Sequence, residues 1–78
     1  MTKEEIMKEL RAYEDRRNEF YRFLDEHIPQ EASTGLYDFR NEVKLDAQKV
    51  YELFHKLDYQ ARKVRGIVIN EIIEKMQD

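Results

Sequence analysis

The sequence from Leu36 to Met76, LYDFRNEVKLDAQKVYELFHKLDYQARKVRGIVINEIIEKM, carries one apolar stripe at helical spacing. At about 100° of rotation per residue, the side chains of this stripe fall within roughly 80° of one line along a helix. No proline interrupts the stretch. We therefore predict one amphipathic helix over about residues 35–77, roughly 60 Å long. The stripe consists of Leu36, Phe39, Val43, Ala47, Val50, Phe54, Leu57, Ala61, Val64, Val68, Ile72 and Met76.

A first helix is predicted over about residues 3–27. Thr2 and Glu5 have the spacing of a capping box, which satisfies free amides in the first turn of a helix. Pro29 disfavours helical geometry at Ile28, so the helix should end just before that residue. Its apolar face steps by three and four along the chain, with Arg17 filling the gap between the third and fourth members, and consists of Ile6, Leu10, Tyr13, Phe20, Leu24 and Ile28.

A loop at about residues 28–34 is expected to join the two helices. It contains the only proline of the chain and Gly35 follows it, and Ser33 or Thr34 could cap the second helix. A connection of this length suits antiparallel helices that pack their apolar stripes together. The predicted fold is all-α, a single helical domain over residues 1–78, built as an antiparallel helical hairpin with a long second helix.

The second helix is predicted to extend beyond the first. If Ile28 faces Leu36, the first helix ends opposite about Arg62, and the second helix becomes more apolar beyond that point. Soluble monomers rarely expose such a patch. We therefore predict a homodimer, a four-helix bundle made of two hairpins. The residues predicted for self-association are Val64, Ile67, Val68, Ile69, Ile72, Ile73 and Met76.

Gly66 leaves an alternative open. A kink at this glycine would let a short third helix fold back and complete a three-helix monomer. A glycine inside a helix costs roughly 1 kcal/mol relative to alanine and does not by itself end the helix. The preceding residues 58–65 carry no turn signal, so we favour a continuous helix.

Composition limits the classes of function. The chain has 78 residues and no cysteine, with 40% charged residues and a net charge of −3. These values exclude disulfides and thiolate metal sites and make general nucleic-acid binding unexpected. The sequence offers no apolar run of membrane-spanning length and no signal-peptide core. We expect a cytoplasmic protein that does not bind membranes.

Two groups of residues could carry chemistry. Glu52 and His55 form half of a di-iron bundle signature, but Glu52 points about 160° away from Phe54 on a helical wheel. The alternative function is therefore a bundle with a carboxylate and histidine metal site, or with a nucleotide site. We predict no catalytic residue, metal or cofactor. The carboxylates considered for a magnesium or nucleotide site are Glu4, Glu5, Glu71 and Glu74.

Arginines of the first helix give a second alternative, a nucleic-acid-associated regulator. Acidic residues alternate with these arginines and would repel phosphate, so we expect no such contact. Arg17 and Arg65 differ from the others because each lies within an apolar stripe. We predict that they fix the specificity of a helix interface, with Asp46 and Asp58 as candidate partners. The arginines of the first helix are Arg11, Arg16, Arg17 and Arg22.

The predicted function is that of a small, non-enzymatic protein-interaction module, a regulator or inhibitor that acts by binding another protein. Aromatic side chains left over from the predicted core would serve as anchors in such an interface. The residues predicted to contact a partner are Tyr21, Phe23, Tyr37 and Tyr59.

Overall fold

The computed structural model describes the backbone of residues 1–76 and the side chains of residues 1–75. Helix α1 spans Lys3–His27 and helix α2 spans Ala47–Ile67. A π-helical stretch, Val68–Ile73, and a last α-helical turn, Glu74–Met76, continue α2 without a break. The two arms pack against each other, and residues 1–76 contain no strand. The predicted all-α hairpin with a long second arm is confirmed.

Helix α1 begins and ends at the residues that carry its boundary signals. The Thr2 hydroxyl accepts a hydrogen bond from the Glu5 amide at 3.1 Å and donates one to the Glu5 carboxylate at 3.2 Å. At the other end the backbone of Ile28 is extended, with φ −118° and ψ 124°. This is the geometry that the following Pro29 imposes on its neighbour.

The connection between the arms is longer than the sequence predicts. Residues 28–46 lie outside the helices, whereas the apolar stripe predicts a loop over about 28–34 and a helix from about residue 35. The loop folds into a small turn in which Gln30 and Tyr37 form an isolated antiparallel bridge. Gly35 lies within this turn at φ 72°, in the left-handed region that glycine adopts without strain.

Local side-chain hydrogen bonds account for the late start of α2. The Asp38 carboxylate accepts from the Arg40 amide at 2.9 Å and also binds the Arg40 guanidinium. Tyr37 donates to the Asp25 carboxylate at 2.8 Å, which ties the loop to α1. Such bonds compete with a helix. Asp46 then caps α2 by accepting from two amides of its first turn, at 3.0 and 3.2 Å.

The longer loop shifts the register of the two arms. The Met1 amino group lies 3.3 Å from the Glu71 carboxylate, and the rings of Phe20 and Phe54 are 6.4 Å apart. The prediction that α1 ends opposite about Arg62 is therefore wrong, since the residue two positions before α1 already contacts Glu71. The helix also continues through Gly66, so the chain does not reverse there.

The seam between the arms uses only part of the predicted stripe of α2, namely Val50, Leu57 and Val64. Leu53 is 3% exposed and Gln60 is 9% exposed, whereas Phe54, the centre of the predicted stripe, is 51% exposed. The inner row alternates steps of three and four, as in a coiled coil. It consists of Val50, Leu53, Leu57, Gln60, Val64 and Ile67.

Gln60 is the polar member of this inner row and bonds directly to α1. Its amide nitrogen donates to the Glu9 carbonyl oxygen at 3.0 Å and to the Glu9 carboxylate at 2.7 Å. The Lys63 ammonium lies 3.3 Å from the same carboxylate. A buried polar group that is satisfied in only one alignment favours that alignment over its neighbours. Gln60 therefore sets the register of the hairpin.

The start of α2 can be tested at its cap. Asp46→Ala should lower the free energy of unfolding by about 0.5–2 kcal/mol, because two amides of the first turn lose their acceptor. Thr34→Ala should have a much smaller effect, since Thr34 accepts only from Leu36 within the loop. Chemical denaturation measures both. A larger loss for Thr34→Ala would instead place the start of the helix near residue 35.

The role of Gln60 can be tested in the same way. Gln60→Ala should lower the free energy of unfolding by about 1–3 kcal/mol, because its two acceptors on Glu9 lose their buried donor. Gln48→Ala is the matched control, since Gln48 is exposed and bonds only within α2, to Glu52 at 3.2 Å. Equal stability of the two variants in urea would contradict the assignment.

Candidate protein-binding face

One side of the hairpin exposes several large apolar side chains, which we call the outer face. On α2 these residues lie within about 60° of Phe54 or on the π-helical turn that follows. Tyr21 adds to them from α1. The exposed fractions range from 37% to 65%. The outer face consists of Tyr21, Tyr51, Phe54, Val68, Ile69, Ile72 and Ile73.

Aromatic contacts join the two arms across this face. The Phe20 ring lies 6.0 Å from Tyr21, edge to face, and 6.4 Å from Phe54. The Arg17 guanidinium carbon lies 4.8 Å from the centre of the Tyr21 ring, within range of a cation–π interaction. Tyr51 is stacked on His55 at 5.8 Å. The rings are thus held in place while much of their surface is open.

The π-helical stretch gathers the apolar residues at the far end of the outer face. Hydrogen bonds from i to i+5 take one more residue into each turn than an α-helix does. Residues four and five apart therefore share a side, which brings Ile72 and Ile73 together next to Val68. Their exposed fractions lie between 37% and 45%. Single π turns of this kind are frequent at functional sites.

The residues predicted for self-association fall into two groups. Val64 and Ile67 are half-buried on the inner row of α2. Val68, Ile69, Ile72 and Ile73 lie on the outer face, and the side chain of Met76 lies outside the described residues.

The aromatic residues predicted to contact a partner do not form one surface. Tyr21 lies on the outer face, whereas Phe23 is half-buried with its ring 4.3 Å from that of His27. Tyr37 is half-buried in the loop. Tyr59 is 61% exposed but lies about 140° around α2 from Phe54.

Arg17 and Arg65 both lie along the outer face, and the ion pairs of residues 1–75 include neither of them. Their candidate partners are engaged within the chain. Asp46 caps α2, and the Asp58 carboxylate lies 3.0 Å from the Arg62 guanidinium. The pairing within one hairpin that the sequence suggests is therefore not formed.

A groove of about 390 Å³ lies where the start of α1 meets the end of α2. The carboxylates of Glu9 and Glu71 line it. The hydrogen bond from Gln60, and then that from Lys63, lower the pKa of Glu9 below its ordinary value of 4.5. Hydrogen bonds from Lys75 and the amino terminus likewise lower the pKa of Glu71. Both carboxylates therefore stay ionised to lower pH, and contacts within the chain balance their negative charges.

The residues considered for metal chemistry lie apart or are engaged elsewhere. Glu52 accepts a hydrogen bond from Gln48, while His55 stacks on Tyr51. In the described part of the chain, no three His, Asp or Glu side chains converge as a metal site would require. No helix in that part is long and apolar enough to cross a membrane.

Tyr51 and Phe54 are the members of the outer face that the sequence did not single out as contacts. The predicted stripe placed Phe54 in the core. The signal that could have corrected this is the second row on α2, in which Leu53, Leu57 and Gln60 repeat at coiled-coil spacing. Two rows compete on one helix, and only packing against α1 decides between them.

A family model described as CmeU-like matches residues 3–72, which is most of the chain, and the protein therefore belongs to the CmeU-like family. Curated proteins and solved structures gave no significant match.

The lowered pKa values of Glu9 and Glu71 predict that the folded protein loses stability in acid. With a pKa lowered in the folded state, the unfolded chain binds a proton at higher pH than the folded chain does. The stabilisation from Glu9 should be complete above about pH 4.5 and lost as the pH falls through the folded-state pKa. Urea denaturation between pH 3 and 7 should show a shallower loss for Glu9→Gln than for the parent. Glu26→Gln, which removes an exposed carboxylate from the same helix, should behave like the parent, and a parent-like Glu9→Gln curve would refute this assignment.

Proposed function

We propose that this CmeU-like protein is a non-enzymatic helical protein-interaction module that self-associates through its outer face and binds another protein as a regulator or inhibitor. Its action would be the display of a rigid helical surface. The observation that supports this proposal most directly is the amount of apolar surface that a single chain leaves exposed.

The large accessible surface area of the chain supports association with a partner. The accessible surface is 6596 Å², whereas a folded monomer of this mass exposes about 5,100 Å². The radius of gyration, 16.8 Å, likewise exceeds the value of about 11.5 Å for a compact domain of this length. A standard interface buries about 800 Å² on each partner. The excess of about 1,500 Å² is enough surface for one such interface.

The shortage of core residues leads to the same proposal. Among the described residues, the buried apolar side chains are Ile28 and Leu53, at 5% and 3% exposure. Tyr51 and Phe54 stay more than half exposed although neighbouring side chains hold them in place. Burying such rings against a second chain would supply hydrophobic stabilisation that the hairpin lacks.

Exposed side chains away from the outer face support binding of another protein. Leu36 and Phe39, in the loop, are 66% and 65% exposed, and Tyr59 is 61% exposed on the side of α2 away from Phe54. Exposed aromatic and leucine side chains can enter pockets of a partner. These residues would stay accessible after the outer face is covered.

The proposal is tested by the solution mass of two matched variants. Across a concentration series, light scattering should give twice 9.6 kDa for the parent protein. Tyr51→Glu should be a monomer that retains its helical circular dichroism, because a carboxylate would be desolvated in the interface.

The control is Tyr59→Glu, which makes the same change at a tyrosine of similar exposure on the same helix. It should remain dimeric. A parent protein that is monomeric at every concentration would refute self-association. Equal masses for the two variants would show that the outer face is not the site.

A further inference from the structure

The outer side of α2 carries a complete coiled-coil row of its own. Its positions alternate steps of four and three, and they lie within about 100° of one another on a regular helix. The row is offset from the inner row that faces α1. It consists of Ala47, Tyr51, Phe54, Asp58, Ala61, Arg65, Val68 and Ile72.

We infer that a second copy of the chain covers this row, with the two α2 helices packed antiparallel about a two-fold axis. This arrangement rests on the proposed self-association and specifies its alignment. It sets Tyr51 against Val68 of the partner subunit and Phe54 against Arg65 of the partner subunit. The two-fold axis repeats each contact, so the interface closes with two chains.

Charge along the row selects the antiparallel direction. In a parallel pair, each residue of the row faces its own copy. Asp58 would meet Asp58 of the partner subunit, and Arg65 would meet Arg65 of the partner subunit. Like charges brought together across an interface are unfavourable. In the antiparallel alignment Arg65 lies about eleven residues along the helix from Arg65 of the partner subunit, and Asp58 is moved about three residues out of direct register with the partner's Asp58.

Arg65 selects the alignment within that direction. Its side chain would lie over the partner's Phe54, as Arg17 already lies over Tyr21 at 4.8 Å within the chain. It would also come within about one helical turn of the partner's Asp58, whose carboxylate binds Arg62 of its own chain at 3.0 Å and has a second oxygen to accept from Arg65. Arg65 thereby gains two contacts that its own chain does not provide.

A shift by one heptad loses these contacts. Asp58 would then face Val68 or Phe54 of the partner subunit, depending on the direction of the shift, and a carboxylate against an apolar side chain is costly. The first shift leaves Tyr51, at 65% exposure, beyond the aligned part of the row, and the second leaves Val68 and Ile72 there. The alignment that we infer covers every position of the row, and Asp58 faces the partner's Ala61, which is small.

The chain has no cysteine, so single cysteines report the alignment without background. The Val68→Cys variant is mixed with either Tyr51→Cys or Asp58→Cys, and each mixture is oxidised with glutathione disulfide. A disulfide needs the two Cβ atoms about 3.5–4.5 Å apart. The mixture with Tyr51→Cys should yield a covalent dimer as the main band on non-reducing gels. The mixture with Asp58→Cys should not yield the heterodimer, which ¹⁵N labelling of the Val68→Cys chain distinguishes by mass spectrometry from any Asp58→Cys homodimer.

Tyr51→Cys and Val68→Cys, each oxidised alone, are the controls and should stay uncrosslinked, because identical positions there lie about seventeen residues apart along the helix in this alignment. A second pair, Ala47→Cys with Ile72→Cys, repeats the test at the ends of the row if Tyr51→Cys weakens the dimer. Light scattering of the parent protein distinguishes a wrong alignment from an absence of self-association. A dimer in which Val68→Cys crosslinks to Asp58→Cys, or in which neither mixture crosslinks, overturns the alignment and leaves self-association standing. A monomer overturns both.

Discussion

The hydrogen bonds from the buried Gln60 amide to Glu9 are the constraint on which the rest of the structure depends. They fix one alignment of α1 on α2, and with it the side of α2 that faces inward. Leu53 and its neighbours are then covered, and Phe54 is left at the edge of the seam. The exposed face is thus a consequence of the alignment and needs no further feature of the chain.

A hairpin of this kind is incomplete as a stable unit. Small chains bury a small share of their surface, and this one has no disulfide to compensate. Helix α2 carries two coiled-coil rows. One row packs on α1, and the other can bury further apolar surface against a helix of a second chain. The π-helical turn after Ile67 adds to this second row by bringing the isoleucines at its end onto one side.

Much of the fold follows from local signals. Thr2 and Pro29 mark the ends of α1, and the 3–4 periodicity of both arms predicts a hairpin. The start of α2 does not follow, because apolar spacing between residues 36 and 46 looks helical although Asp38 and Asp46 redirect the backbone hydrogen bonds. The outer face could not be predicted for a related reason, because periodicity alone does not determine which row of α2 packs against α1.

The most direct test of the central claim is an isotope-filtered NOE experiment on an equal mixture of ¹³C-labelled and unlabelled protein. It detects only contacts between chains. We predict intermolecular cross-peaks from the rings of Tyr51 and Phe54 to the methyl groups of Val68 and Ile72, which lie on the outer row. The absence of intermolecular cross-peaks, or cross-peaks confined to Tyr59 or the loop, would contradict an outer face that pairs with itself.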